Sequence, residues 1–372
     1  MNIEKLCTLL DDLLSEYEKN NILSLFQTVI SALSKSVSQP NAANSQSLKE
    51  SLEVLYKALD ACHTNNLVPS RYEMLRAIGG VPRTGIGLRK SIEKTLNVNN
   101  ITPSNALAEM QVLHQEITAF HTTIVNLTQG FAQLNIKADK LNEDEFEIGL
   151  IIPSGQDIDN LAAISKELRG FDKLFRLVGE VVGGDVTSSK IRAIGSGSYD
   201  IFLLAAPLVA TFVIKSVERL LGIYKSILEV RLLRKQLEEK NFPKDVIDKA
   251  KYHEESVLNS ELTKLRDELF NKYSSIEDKG RINEIKNGLL FELKFLASRL
   301  DMGVKIEVST PYGSAEDVQE AEGKKSKIVP GAKDISIAEL SKLGRVMVSF
   351  KKSEGPVLML TKEVEEKDEG KD

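Results

Sequence analysis

From Ala106 to Leu134 the apolar residues Ala106, Met110, Leu113, Ile117, Phe120, Ile124, Leu127, Phe131 and Leu134 recur at spacings of four and three without a slip. A period of 3.5 residues held this long describes one helix with a narrow apolar seam, and such a seam is stable only when other helices cover it. Thr102 and Pro103 suit its start, since Thr caps a helix and Pro is tolerated in the first turn. The cover comes either from helices nearer the N-terminus or from another copy of the chain. Leu113, Ile117, Phe120, Ile124, Leu127 and Phe131 are therefore the expected contact residues of a homo-oligomer or of a complex with a protein partner.

The rest of the chain supplies more stripes of the same kind. Ile22, Phe26, Val29 and Leu33 form one, and Leu52, Leu55 and Leu59 another, with Ser38–Ser47 between them read as a polar loop. These segments make residues 1–142 an N-terminal helical domain. Around Phe146 the pattern changes to short β-prone runs near 146–152 and 190–194, separated by a helix that Asp157 opens and that runs to about Val182. A strand-helix-strand order of this kind lies parallel if its strands are neighbours. Further strands are expected at 304–308, 345–350 and 357–360, because two strands alone make a marginal sheet. A helical hairpin over 200–302 turns at Asn241-Phe242-Pro243 and carries Val217, Leu221, Tyr224 and Leu228, then Leu258, Leu262, Leu265 and Leu269, then Ile285, Leu289, Leu293, Leu296 and Leu300. These elements occupy 143–360. Glu316–Asp334 reads as a polar loop and 361–372 as a disordered charged tail. The expected class is mainly α with a small α+β element: long paired amphipathic helices plus a short mixed β-sheet.

With 42% hydrophobic residues in 372, the chain has material for real cores, and its net charge of −5 disfavours a protein that coats nucleic acid over its whole surface. Cys7 and Cys62 are too few for a disulfide scaffold, so a reducing, cytoplasmic setting is expected, with both thiols in cores. No apolar leader follows Met1. The most apolar run, Ile201–Ile214, is shorter than the roughly 20 residues a membrane span needs and reads as a core helix, so a membrane partner is not expected.

Few residues have the spacing of a chemical site. His114 and His121 stand seven apart, about 10.5 Å of helical rise, too far to share one metal ion. No nucleophile–base set stands out, no Gly-Lys-Ser/Thr phosphate loop occurs, and neither a metal nor a cofactor is expected. Ser196, Gly197 and Ser198 lie in a glycine-rich turn ahead of a helix, where backbone N–H groups can face an anion, although Asp200 stands where a dinucleotide fingerprint needs Gly.

The segment Arg71–Leu96 reads as helix, glycine turn, helix, with six basic residues against two acids. Its Gly85-Ile86-Gly87 core followed by Ser91 resembles the hairpin of helix-hairpin-helix DNA-binding modules over about 26 residues. The resemblance implies that the turn's N–H groups hold a phosphate, with Arg83, Gly85, Gly87, Arg89 and Lys90 as contact residues and binding that is salt-sensitive and sequence-independent. It departs from that pattern at Lys94 and in the Pro82-Arg83-Thr84 approach. Two functions follow as expectations: a helical scaffold or protein–protein interaction protein assembling through its amphipathic helices, and alternatively a nucleic-acid-binding accessory factor.

Overall fold

The structure, a computed structural model, describes residues 2–310 apart from 100, 140, 143–144, 154–159, 184–189, 196–198 and 241. It is mainly helical with a small four-stranded antiparallel sheet. The chain divides into two compact units, Met1–Lys140 and Leu141–Asp372. The expected strands at 345–350 and 357–360, the 316–334 loop, the 361–372 tail and the Ser196-Gly197-Ser198 turn lie outside the described residues.

The first unit holds α1 (Ile3–Lys19), α2 (Ile22–Ser38), α3 (Ala42–Asp60), α4 (Pro69–Ala77), α5 (Gly85–Val98) and α6 (Pro103–Gln133). Asn21 joins α1 to α2 in a left-handed conformation that Asn tolerates better than most side chains. The polar loop expected over Ser38–Ser47 shrinks to a short link. Asn41 caps α3 by accepting the Asn44 N–H at 2.8 Å, and Ala42 onward is already helical. The polarity of that stretch belongs to an exposed first turn and a half of helix. Two apolar clusters fill the unit. One joins Phe26, Val29, Leu33, Leu55, Leu59, Leu88 and Ile92 to Met110 and Ile117 of α6. The other joins Leu9, Leu10, Leu13 and Leu75 to Ile124.

The second unit runs β1 (Phe146–Ile152), α7 (Leu161–Val181), β2 (Lys190–Gly195), β3 (Tyr199–Ala205), α8 (Pro207–Glu239), α9 (Lys244–Tyr273), α10 (Lys279–Asp301) and β4 (Lys305–Ser309). Asn160 rather than Asp157 caps α7, accepting from Ala163 N–H. Strand order is β2-β3-β1-β4, with every neighbouring pair antiparallel. Among the described strands the sheet is antiparallel throughout rather than mixed. β1 and β2 do run the same way, but β3 is inserted between them, which is the connectivity of a split β-α-β unit. The sequence reading missed β3 because it began the long helix at Asp200. Helix starts instead at Pro207, where a missing N–H costs nothing. The apolar run Ile201–Ile214 is thus half strand and half helix. Phe146, Ile148, Leu150, Ile152, Ile201, Leu203, Ile306 and Val308 share one core with Phe171, Leu174, Val178, Phe212, Leu220 and the inner faces of α9 and α10.

Candidate interaction surface

The glycine turn is built into the first unit. Gly85 takes φ +43°, a left-handed value that favours Gly, and a Cβ on Gly87 would stand 1.8 Å from the Val81 carbonyl oxygen. Both glycines thus answer to local packing. The N–H groups at the start of α5 have protein partners: Ile86 N–H donates to Asn65 Oδ1 at 2.6 Å, and the Gly85 N–H meets the Cys62 sulfur. Asn65 is held in turn by donating to the Leu59 and Asp60 carbonyls. Beneath the turn, buried Glu16 accepts from the Thr64 N–H at 2.9 Å and the Thr64 hydroxyl at 2.8 Å. Burial pushes the Glu16 carboxyl up, with those two bonds pulling it back, and burial likewise raises the Cys62 thiol.

The basic residues of the segment are distributed in the same way. Arg83 donates to the Gly79 carbonyl at 2.6 Å, lies 3.8 Å from Glu116 and stacks over the Phe120 ring. Arg89 pairs with Asp60 and, at 2.8 Å, with Glu93, and lies over the Tyr56 ring. Of the five residues named for nucleic acid, Lys90 alone is exposed. The structure brings all five together at one turn, and the side chains of Arg83 and Arg89 are spent on the protein itself.

The seam of α6 closes within the first unit. Ile117 and Ile124 are 0% and 1% exposed. Leu113 packs beside the cluster centred on α2, and Phe120 and Phe131 beside the one centred on α1. Toward its C-terminal end the stripe opens: Leu127 is 43% and Leu134 71% exposed. Of the two covers the sequence allows, apolar stripes on α1 and α2 supply one within the unit. His114 and His121 flank it, edge-on to Phe26 and Tyr17.

No family model, curated protein or solved structure matches the chain. The surface chemistry alone must therefore point to function.

What α6 leaves outside is unusual for a solvent face. Across the chain 28% of residues are charged, yet none of the residues from Ile117 to Ile136 is Asp, Glu, Lys or Arg. The exposed positions there are Thr118, Ala119, Thr122, Thr123, Asn126, Leu127, Gln129, Ala132, Gln133, Leu134 and Asn135. The hydroxyls of Thr118, Thr122 and Thr123 donate to the carbonyls of His114, Thr118 and Ala119 at 2.8–2.9 Å, so their donors are already used inside the helix. Burying those hydroxyls strands no donor, and no Asp, Glu, Lys or Arg on this stretch has to lose its water.

Sequence reasoning missed a set of buried acids. Glu147 and Glu307 lie on the sheet face away from the helices at 3% and 1% exposure, with Arg192 Nε 3.6 Å from Glu147. Glu254 and Glu292 are buried between helices. The available signal was a lone Glu inside an apolar strand, as in FEIGLII and KIEVS. Among the described residues no group of three or more His, Cys, Asp or Glu is placed to hold a metal ion, and no helix is long and apolar enough to cross a membrane.

Proposed function

We propose that this chain is a helical protein–protein interaction protein that pairs with a second copy of itself through the outward face of α6. The observation that carries the reading is the charge-free stretch from Ile117 to Ile136, whose helical part to Gln133 is about 25 Å long, in a chain otherwise rich in Lys and Glu. Interface centres are depleted of charged residues. In a two-fold contact each side chain also meets the same patch of its partner, so a face of one charge sign would repel itself and an uncharged one does not. Thr and Ala at the exposed positions suit helices approaching to about 8–10 Å.

The test is light scattering on a gel-filtration column. Wild type is expected to elute with a mass above that of one chain, and Thr118→Lys with Thr122→Lys to elute as a monomer of unchanged helicity. Both side chains are exposed, so the variant keeps the cores intact. A wild-type monomer at tens of micromolar ends the self-association reading.

A further inference from the structure

The contact between α7 and α10 is tightly packed. The Phe295 ring lies against Gly170 and edge-on to Phe171 at 5.2 Å, and Leu177 packs at Gly288. Between these apolar contacts α10 places Glu292, 7% exposed. Among the described residues no hydrogen bond or ion pair reaches its carboxylate. The other acids along the interface are matched: Glu167 with Arg299 at 2.7 Å and Glu180 with Arg281 at 2.8 Å. On the α9 side Asp267 is paired with Arg266 and with Lys286 of α10. Among the described residues the charged group that acts on Glu292 is Lys173, an exposed residue of α7.

We propose that Glu292 makes the α7–α10 contact proton-dependent: the contact closes around a protonated carboxyl, and ionisation loosens α10 from α7. An ionised carboxylate here gives up most of its water without gaining a partner, which is costly. Burial accordingly pushes its pKa up from 4.5 to about 7, with Lys173 opposing. A group that holds its proton more tightly when closed than when open contributes most below its open-state value. The contact is therefore tightest below about pH 4.5, weakens as pH rises to about 7, and changes no further above that. This inference concerns the second unit and is independent of the α6 reading.

The test is hydrogen–deuterium exchange by mass spectrometry on the full chain at pH 5, 6 and 7, corrected for intrinsic rates. At tenfold per pH unit, opening of peptides within Ile285–Leu300 is expected to rise on the order of a hundredfold from pH 5 to pH 7. α6 peptides serve as a flat reference. Glu292→Gln is expected to abolish the rise. A flat wild-type profile overturns the proposal, and so does a rise that persists in Glu292→Gln. Should the Gln variant fail to fold, Lys173→Met decides instead. Removing the opposing charge is expected to move the transition to higher pH, and an unmoved transition overturns the proposal.

Discussion

Ile117→Asp, or equally Ile124→Asp, is expected to unfold the first unit rather than merely to break an oligomer. Each isoleucine is almost fully buried, Ile117 in the cluster with Phe26 and Leu55, and Ile124 in the cluster with Leu9 and Leu13. Asp in their place loses the packing of a large aliphatic side chain, about 2–5 kcal/mol. It also strands a carboxylate without a partner, and the sum exceeds what most domains have to spare. Urea unfolding followed by circular dichroism should show the first-unit transition gone or shifted to near-zero denaturant. Leu127→Asp is the matched control, because its side chain is half open and its cost is expected to stay within about 1 kcal/mol. If Ile117→Asp unfolds at the wild-type midpoint, the assignment of the seam to the interior is wrong.

The second large effect is expected at Glu254. Beyond Ile227 on α8 and before Leu258 on α9, it is the one residue of the hairpin that is fully buried among those described. Its carboxylate accepts from Arg231 Nε and Nη2 at 3.0 and 2.9 Å and from Arg234 Nη1 at 2.8 Å. An ion cluster thus does, in the outer part of the hairpin, what leucines do nearer the sheet. Glu254→Ala removes the shared anion and leaves two guanidinium groups facing each other, a change that costs about 3–5 kcal/mol when the pair is buried. The loss should be local. Amide protection is expected to vanish between Arg231 and Glu254 while peptides around Leu220 and Leu265 keep theirs. Undiminished protection at the tip would show that the ion cluster is dispensable. Replacing Arg231, Arg234 and Glu254 together by apolar residues of similar volume is expected to restore most of the protection, because a buried ion cluster gains little over good packing.

These two sites also show where the sequence was readable. The α6 stripe contains every buried residue of that helix, Ala106, Met110, Ile117 and Ile124, because a 3.5-residue period leaves only one face to hide, but it runs on through Leu127 and Leu134, which stay exposed. The same stripe says nothing about what hides it, since an apolar face is satisfied equally by α1 and α2 or by another copy. The segment 200–205 reads as helix from the sequence because a short apolar run has no period of its own, and only Pro207 marks the boundary. The first turns of α3 read as a loop from the sequence because a polar exposed helix and a polar loop share a composition. Glycines at 85 and 87 were legible as a turn, but a phosphate cradle and a tight packing contact require the same absence of side chain.

The sequence by itself determined that this protein is mainly helical, where most helices run, and which of their residues turn inward. Those properties follow from periodicity and end signals that act within a few turns of one helix. Tertiary structure decided which stripe covers which, that β3 separates β1 from β2, that Arg83 and Arg89 pair with nearby acids, and that Glu254 gains two arginines while Glu292 gains none. Each of these depends on which groups meet across long sequence separations, and a buried charge has no stable or unstable character until its neighbours are fixed.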